Sequence, residues 1–302
     1  MAARKIELFD AGGGSRGFYS DDNRLNELTG REWVYWTKSV ITGPYPSNIQ
    51  HKLRSLHGGQ KPPDLCADLI RVFTKAGETV FDPLAGVGGT LLGASLAGRS
   101  ATGIEINPEW ARIYREVCRR EAIAEQRLLT GDARAVQPGL AAEGFAADFV
   151  LTDVPYWRMD RAPRSRGTVK RVGEAAREPR RSRLSAFNAS DYASKEEWLA
   201  QVTAILAGAV ELLRPGRYLA VFIGDMYSGG EYHMLSAELA AALKRPRLTL
   251  KANLIWYDVS KSLHLYGYRY EYIPSLIHQN ILVFRKEKGE GGAPAVRPPG
   301  GG

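Results

Sequence analysis

The sequence lacks any apolar run of the roughly 18 residues that a membrane-spanning helix needs. Its first residues, MAARKIELFD, do not resemble a secretory signal, because Glu7 and Asp10 interrupt them before an apolar core forms. Only two cysteines occur, Cys66 and Cys118, outside any CxxC pair, which disfavours a disulfide framework and a cysteine-ligated zinc site. The five histidines have no HExxH or comparable spacing. We therefore expect a cytoplasmic protein with no membrane association and no metal.

The positive charge of the chain is concentrated in one segment. The formal net charge is +8, and residues 158–183 contain ten Lys and Arg against three acids, so this segment alone carries +7. A charge run of this kind is most often a solvated loop. Here it directly follows the stretch TDVPYW (152–157), to which it would bring phosphate-binding charge. The sequence thus predicts a basic insert, which we place at 158–194.

Strands and helices alternate from residue 79 onward. Short strands are expected at 79–81, 100–106, 127–133 and 147–154, and a buried strand at 217–225. Two long β runs, LTLKANLIWYDV and SLIHQNILVFRK, follow with no convincing helix between them, which favours an antiparallel last pair. This alternation predicts an α/β fold with a doubly wound sheet, whose site lies outside the carboxyl ends of the strands.

Helix boundaries are marked by capping signals. Thr29 with Glu32, and Ser194 with Glu197, form two capping boxes, and RPG at 214–216 is expected to stop the second of these helices.

A single folded domain is expected. Residues 1–24, which include AGGGSRG, are predicted to be a flexible N-terminus that orders poorly. Residues 25–285 form the domain, and the Gly- and Pro-rich 286–302 form a disordered tail.

A glycine turn follows the first strand of the alternating region. In FDPLAGVGGT the glycines 86, 88 and 89 let the backbone approach a ligand where a Cβ would intrude. The turn does not match the dinucleotide pattern GxGxxG, because Leu91 stands where the last glycine is required.

Acidic residues end the next two strands. Glu105 stands where a carboxylate can accept hydrogen bonds from both ribose hydroxyls, although such a residue can also be a plain surface acid. Asp132, in TGDA, is placed to meet an adenine amino group. Together with the glycine turn, these acids indicate an adenosine-containing ligand.

The stretch TDVPYW ends the fourth strand and suits chemistry on an exocyclic amino group. That nitrogen is a poor nucleophile because its lone pair is delocalised into the ring, and two acceptors on its N–H bonds would free the pair. Asp153 offers a carboxylate and Val154 a backbone carbonyl, whose direction Pro155 restricts by disfavouring helical geometry before it. Tyr156 offers a stacking face for an extruded base, worth about 1–3 kcal/mol. Alone, the six residues fit a strand-end turn equally well.

Five stretches, HGGQKPPDLCADLI, VFDPLAGVGGTLLGA, TGIEINPEW, TDVPYW and NILVFRK, resemble the S-adenosylmethionine-dependent DNA amino-methyltransferases, which make N6-methyladenine or N4-methylcytosine. The resemblance extends over about residues 25–286. It implies a Rossmann-like methyltransferase sheet of seven strands, S-adenosylmethionine as cofactor and double-stranded DNA as partner. It also implies that the cofactor is bound by Lys61, Pro62, Asp82, Leu84, Ala85, Gly86, Gly88, Glu105, Asp132 and Asp153. Asp153, Val154, Pro155 and Tyr156 would form the catalytic group.

The sequence departs from the family pattern at the catalytic motif. Val154 stands where the family usually has proline. Because the proposed contact is made by the backbone carbonyl, we expect this difference to be tolerated. Asp153 favours adenine, whereas a following Trp157 is commoner in enzymes that act on cytosine N4.

No separate target-recognition domain is expected, so recognition is assigned to 158–194, to the aromatic N-terminal helix and to 261–274. The residues predicted to bind nucleic acid are Trp157, Arg158, Arg161, Arg164, Arg166, Lys170, Arg171, Tyr268 and Arg269.

Three alternatives differ in chemistry. RNA base methyltransferases share the fold and a similar tetrapeptide. Cytosine-C5 methylation needs a thiolate that normally follows proline, but Cys66 and Cys118 follow Leu65 and Val117. A DNA-binding protein that has lost its enzymatic activity has no reason to retain all four strand-end acids, Asp82, Glu105, Asp132 and Asp153. If the enzyme belongs to a restriction-modification system, a cognate restriction endonuclease is a further candidate partner.

Overall fold

The computed structural model describes residues 3–10, 12–155, 157, 192–228, 230–259, 261, 272 and 274–289. Along these residues the strands are β1 (Lys5–Phe9), β2 (Ser15–Ser20), β3 (Val40–Ile41), β4 (Thr79–Asp82), β5 (Ser100–Glu105), β6 (Arg127–Thr130), β7 (Ala147–Asp153), β8 (Leu213–Ile223), β9 (Met226–Ser228), β10 (Glu231–His233), β11 (Leu248–Tyr257) and β12 (His278–Lys286). The helices are α1 (Gly30–Trp36), α2 (His51–Arg54), α3 (Pro63–Phe73), α4 (Gly89–Ala97), α5 (Pro108–Glu121), α6 (Ala133–Ala142), α7 (Lys195–Leu212) and α8 (Leu235–Ala242). Among the helices of these residues, none has the length and apolarity that a bilayer crossing requires.

The main sheet confirms the predicted doubly wound α/β fold. Its spatial order is β3-β11-β12-β8-β7-β4-β5-β6. Strands β4 to β8 are parallel, and β12 runs antiparallel between β8 and β11, as the last two β runs predict. The chain progresses outward from β4 to β6 and then returns to β7 on the other side of β4. The strand order therefore reverses at β4 and β7, and a crevice forms beyond their carboxyl ends.

The sheet has eight strands where seven were expected. The additional strand is β3, which pairs parallel to β11 through Val40 and Ile41. Two residues give no readable alternation in the sequence, so this strand is missed by pattern analysis.

Both faces of the sheet are covered by helices. Helices α3, α4 and α5 contribute to one hydrophobic cluster, and α6, α7 and α8 to the other. Successive strand residues alternate between the clusters: Val80 belongs to the first and Phe81 to the second, and both are fully buried. This two-sided burial explains why the central strands read as continuous apolar runs.

The helix starts follow the predicted capping signals. Thr29 and Glu32 form a complete capping box at α1, and the Ser194 hydroxyl accepts from the Glu197 backbone N–H, 3.1 Å away, at α7. The end of α7 differs from the prediction, because β8 already begins at Leu213 and includes RPG. Leu213 pairs with Ala147 but Tyr218 pairs with Phe149, so the RPG segment bulges out of an otherwise regular ladder.

The predicted poor order of residues 1–24 is wrong for most of the segment. Strands β1 and β2 form an antiparallel hairpin. The Asp10 carboxylate organises its glycine-rich turn by accepting the backbone N–H groups of Gly12 and Gly14 at 2.9 and 2.8 Å. Glycine content indicates flexibility, but one acidic side chain can cap such a turn. The tail predicted at 286–302 starts one residue too early, since Lys286 still belongs to β12, and its residues 290–302 lie outside the described part of the chain.

Gly88→Ala is expected to destabilise the protein more than Gly98→Ala. Both glycines flank α4 and have positive φ, +77° and +69°. A Cβ at Gly98 would have no atom within 4 Å, whereas one at Gly88 would overlap the ring of the buried Tyr114. Gly98→Ala should cost about 1–2 kcal/mol from backbone strain alone, and Gly88→Ala about 1–3 kcal/mol more. Urea unfolding measures both variants, and equal losses would contradict the packing role of Gly88.

Candidate functional site

A cavity of about 230 Å³ lies beyond the carboxyl ends of β4, β5 and β7. Of the residues predicted to bind a cofactor, it is lined by Lys61, Asp82, Leu84, Ala85, Gly86, Glu105, Asp132 and Asp153. Pro62 and Gly88 are not among its lining residues. The structure thus brings eight of the ten predicted residues to one place, although they span more than ninety positions of the sequence.

The glycine turn after β4 is shaped by close packing at two of its positions. Gly86 has φ +53° and lines the cavity, and a Cβ there would lie 3.0 Å from Nε2 of His57. At Gly88 a side chain is excluded by Tyr114, on the helix side of the turn. Gly88 thus meets a packing requirement and its predicted contact with a ligand stays a prediction, whereas Gly86 lies at the cavity wall.

Glu105 is buried at the end of β5 and holds the glycine turn. Its two carboxylate oxygens accept the backbone N–H groups of Gly86 at 2.7 Å and Asn107 at 2.8 Å. Burial raises the pKa of Glu105 to about 7, although these backbone hydrogen bonds oppose the shift. Each carboxylate oxygen retains a further lone pair, so hydroxyl donors in the cavity can also be accepted.

Asp82 is buried at the end of β4 and joins this strand to β7. It accepts the Thr152 hydroxyl at 2.7 Å and the backbone N–H of Leu84 at 3.0 Å, both through Oδ1. Burial raises its pKa to about 6. Asp82 therefore lines the cavity and at the same time fixes the start of the glycine turn.

Asp132 begins α6 as its capping residue. Its carboxylate accepts the backbone N–H of Arg134 at 2.9 Å and pairs with the Arg134 guanidinium at 2.6 Å. The hydrogen bonds from Arg134 lower the pKa of Asp132. The predicted contact with an adenine amino group would have to share this carboxylate with Arg134, and it stays a prediction.

The motif TDVPYW lies at the wall of the cavity. Val154 is buried and donates its backbone N–H to the Phe222 carbonyl at 3.3 Å, and the Trp198 indole N–H donates to the Pro155 carbonyl at 2.6 Å. The backbone is thus held on both sides of Val154. The Asp153 carboxylate forms an ion pair with the Lys61 ammonium, across 92 positions of the chain. Tyr156, which completes the predicted catalytic group, lies outside the described residues.

A second cavity, of about 370 Å³, shares four residues with the first: Gly59, Gln60, Lys61 and Asp153. Its other lining residues include Tyr45 and Trp256, whose rings meet edge to face with centroids 6.5 Å apart. Asn48, Asp258 and Gln279 supply polar groups to the same wall. The Lys61–Asp153 pair therefore stands between two cavities.

Several residues of the two cavities were not among the predicted site residues, although His57 opens HGGQKPPDLCADLI and Trp110 closes TGIEINPEW. His57 and Trp110 line the first cavity and pack edge to face with centroids 5.2 Å apart. Tyr45 lies in a loop before α2, without any motif. Trp256 lies near the carboxyl end of β11, which runs in the same direction as β8, so the strand-end rule applied to this strand would have indicated it.

The predicted nucleic-acid contacts are described only at one residue. Trp157 is half-buried, packs against the second hydrophobic cluster and meets the ring of His233 edge to face. Its position therefore serves packing as well as any contact with nucleic acid. The other predicted residues, Arg158, Arg161, Arg164, Arg166, Lys170, Arg171, Tyr268 and Arg269, lie outside the described part of the chain. The aromatic helix α1 has no buried residue and exposes Trp33 and Tyr35.

The strand order, with its reversal at β4 and β7, is that of a Rossmann-like methyltransferase fold. Residues 18–116 match a sequence family described as DNA methylase, N6_N4_Mtase, which confirms the family resemblance over about a third of the chain. The matched region contains the segment QKP and the glycine turn, and it ends before Asp153. The match supports methyltransferase activity.

Three solved structures are similar to this chain at low sequence identity. TrmN from Thermus thermophilus is 18% identical with a TM-score of 0.49, over 80% of this chain and 52% of the TrmN chain. NSun6 from Pyrococcus horikoshii, solved with SFG, is 15% identical with a TM-score of 0.49, over 94% of this chain and 68% of its own. A methyltransferase from Pyrococcus furiosus is 13% identical with a TM-score of 0.44, over 76% and 84%. The chain thus spans about half the length of TrmN. No curated protein sequence matches it.

The stability of Glu105→Gln relative to wild type should be greater at pH 8 than at pH 5. The pKa of Glu105 is raised from 4.5 to about 7, so folding favours its neutral form. The corresponding stability is complete below pH 4.5 and is lost as pH rises through 7. Glutamine does not titrate and has no such loss. Between pH 5 and pH 8 the free energy of unfolding of the variant should therefore rise by about 2–3 kcal/mol relative to that of wild type.

Thermal melting at both pH values measures this difference. Glu109→Gln is the matched control, because the exposed Glu109 pairs with Arg112 and its pKa is lowered, so it is ionised throughout this range. A difference in Tm between Glu105→Gln and wild type that does not change with pH would contradict the burial of an ionisable Glu105.

Proposed function

We propose that this protein is a DNA methyltransferase that transfers a methyl group from S-adenosylmethionine to the exocyclic amino group of a base, most readily adenine N6. The observation that carries this function is the position of Asp153 on the wall between two cavities. In methyl transfer the methyl carbon of the donor and the amino nitrogen of the base must come into direct contact, so a carboxylate that lines both cavities can accept from the amino group where the two ligands meet. The shared wall provides that arrangement, and the match to a DNA methylase family supports it.

The residues of the first cavity fit S-adenosylmethionine. Glu105 offers carboxylate oxygens for ribose hydroxyls, and Gly86 leaves room for a ligand beside the turn. The buried side chains of Ile104, Ala85 and Trp110 give the cavity apolar walls that suit a purine. With the adenosine part toward β5 and Asp132, the methionine part would lie toward Lys61 and Asp153.

When bound, S-adenosylmethionine supplies an electrophilic methyl group on a sulfonium. The chain itself prepares the acceptor. Asp153 accepts one N–H of the amino group and the Val154 carbonyl accepts the other, so the nitrogen lone pair is withdrawn from the ring and aimed at the donor. In the transfer the amino nitrogen would gain the methyl group and lose one proton to solvent, and the donor would leave as the neutral thioether S-adenosylhomocysteine. Because the backbone around Val154 is held by Phe222 and Trp198, the acceptors are fixed before the base arrives.

The second cavity is suited to receive the base. Tyr45 and Trp256 supply aromatic surface, and Asp153 lies at its inner wall. A base reaches such a recess only after it leaves the duplex stack. Tyr156 and the basic segment 158–183 would add stacking and phosphate contacts, as the sequence predicts.

Adenine is proposed because an aspartate begins the tetrapeptide, and a carboxylate is a stronger acceptor than a serine hydroxyl. Cytosine N4 is the alternative product, and an RNA base the alternative substrate.

Glu105→Ala should weaken the binding of S-adenosylmethionine by about tenfold or more, because a charged acceptor of the ribose hydroxyls is lost. Isothermal titration calorimetry measures the affinity. Glu109→Ala, at the exposed start of α5, is the control and should bind as wild type does. Equal affinity of Glu105→Ala and wild type would remove Glu105 from the cofactor site.

Asp153→Ala should abolish methyl transfer and leave the fold intact, because the residue ends a strand and lies outside both hydrophobic clusters. DNA is incubated with the protein and methyl-labelled cofactor, digested to nucleosides and analysed by mass spectrometry. Wild type should place the label in N6-methyladenine. Label in N4-methylcytosine would correct the base, label confined to RNA would correct the substrate, and no label in either would refute the proposed activity.

A further inference from the structure

The Lys61–Asp153 ion pair occupies the group on which the proposed reaction depends. Lys61 Nζ lies against Asp153 Oδ2, and the side chains of the two residues are 7% and 23% exposed. Both residues line both cavities. The carboxylate that should accept the amino group of a base is thus engaged by an ammonium that makes the same kind of hydrogen bond.

We propose that Lys61 is a positioning residue, which holds the Asp153 carboxylate in its orientation until the sulfonium of S-adenosylmethionine displaces the Lys61 ammonium. This inference rests on the proposed function and assigns a role that the cofactor contacts alone do not require. A second cation that arrives in the first cavity beside Asp153 competes with Lys61 for the carboxylate and repels its ammonium. The displaced ammonium leaves a face of Asp153 to the base in the second cavity.

The side chain of Lys61 can move while its backbone stays in place. The Lys61 carbonyl accepts a hydrogen bond from Arg54 Nη2 at 2.5 Å, and Arg54 is almost fully buried. A second partner for the ammonium is already within reach, since Lys61 Nζ lies 3.4 Å from the Gly59 carbonyl. The Phe222 ring, with its centroid 5.4 Å from Nζ, offers a further favourable surface for a cation. The ammonium therefore has a polar alternative next to its place at Asp153.

The exchange couples the two ligands in a defined order. The neutral ammonium–carboxylate pair closes the wall between the cavities, and the cofactor charge opens it. A base that arrives first has to break the pair without any compensating cation. Binding of the cofactor should therefore precede productive binding of the base, because only the cofactor carries the charge that displaces Lys61.

The test compares S-adenosylmethionine with S-adenosylhomocysteine, which lacks the methyl group and carries a neutral thioether in place of the sulfonium. Their affinities for wild type, Lys61→Met and Lys61→Gln are measured by calorimetry, without nucleic acid. Either variant removes the repelling ammonium and leaves the Asp153 charge to the sulfonium. The preference for S-adenosylmethionine over S-adenosylhomocysteine should therefore rise on the order of tenfold.

Lys251→Met is the matched control. Lys251 also pairs with a carboxylate, that of Glu287 at 2.7 Å, but it is not among the lining residues of either cavity, so its loss should leave the preference unchanged. If Lys61 only bound the carboxylate of the methionine part, both ligands would weaken alike. If both variants still bind S-adenosylhomocysteine and their preference for S-adenosylmethionine is unchanged, the proposed role of Lys61 is overturned and the cofactor assignment stands. A wild-type protein that binds neither ligand would overturn the cofactor assignment itself.

Discussion

The hydrogen bond from Thr152 to Asp82 joins the tips of β7 and β4 at the point where the strand order reverses. At this point a parallel sheet leaves backbone and side chains of two neighbouring strands uncovered by a crossover helix. The same Asp82 oxygen accepts the Leu84 backbone N–H and so fixes the start of the glycine turn, while its bond to Thr152 fixes the residue before Asp153. The two walls of the first cavity are consequently set by a single buried contact, and the remaining groups are added around it.

Burial of carboxylates is the energetic cost of this site. Asp82 and Glu105 are almost fully buried beside each other, and both have raised pKa values. Backbone N–H groups and a threonine hydroxyl offset part of the desolvation, while Asp153 is compensated by the Lys61 ammonium. The site therefore retains acids that a purely structural core would replace with apolar residues, which agrees with selection for binding or chemistry rather than for stability.

Much of the fold was predictable because its signals are local. The capping boxes at Thr29 and Ser194 and the strand-end acids Glu105 and Asp153 each depend on a few neighbouring residues and on the rule that places sites at carboxyl ends. The unpredicted features depend on distant partners. The pairing of Lys61 with Asp153 and the aromatic wall formed by Tyr45 and Trp256 require the tertiary structure. The N-terminal hairpin was missed for a different reason, since composition understated the effect of Asp10 on its turn.

The antiparallel insertion of β12 between β8 and β11 governs how the chain can be assembled during synthesis. In the part of the chain that the structure describes, β11 is joined to β8 through β12, and β3 is joined to the sheet through β11. Val40 and Ile41 are thus made early and find their partner Ile255–Trp256 more than two hundred residues later. Strand β3 has to remain without its place in the sheet until β11 and β12 have left the ribosome. Such long-range closure slows folding and leaves strand edges open to nascent-chain aggregation.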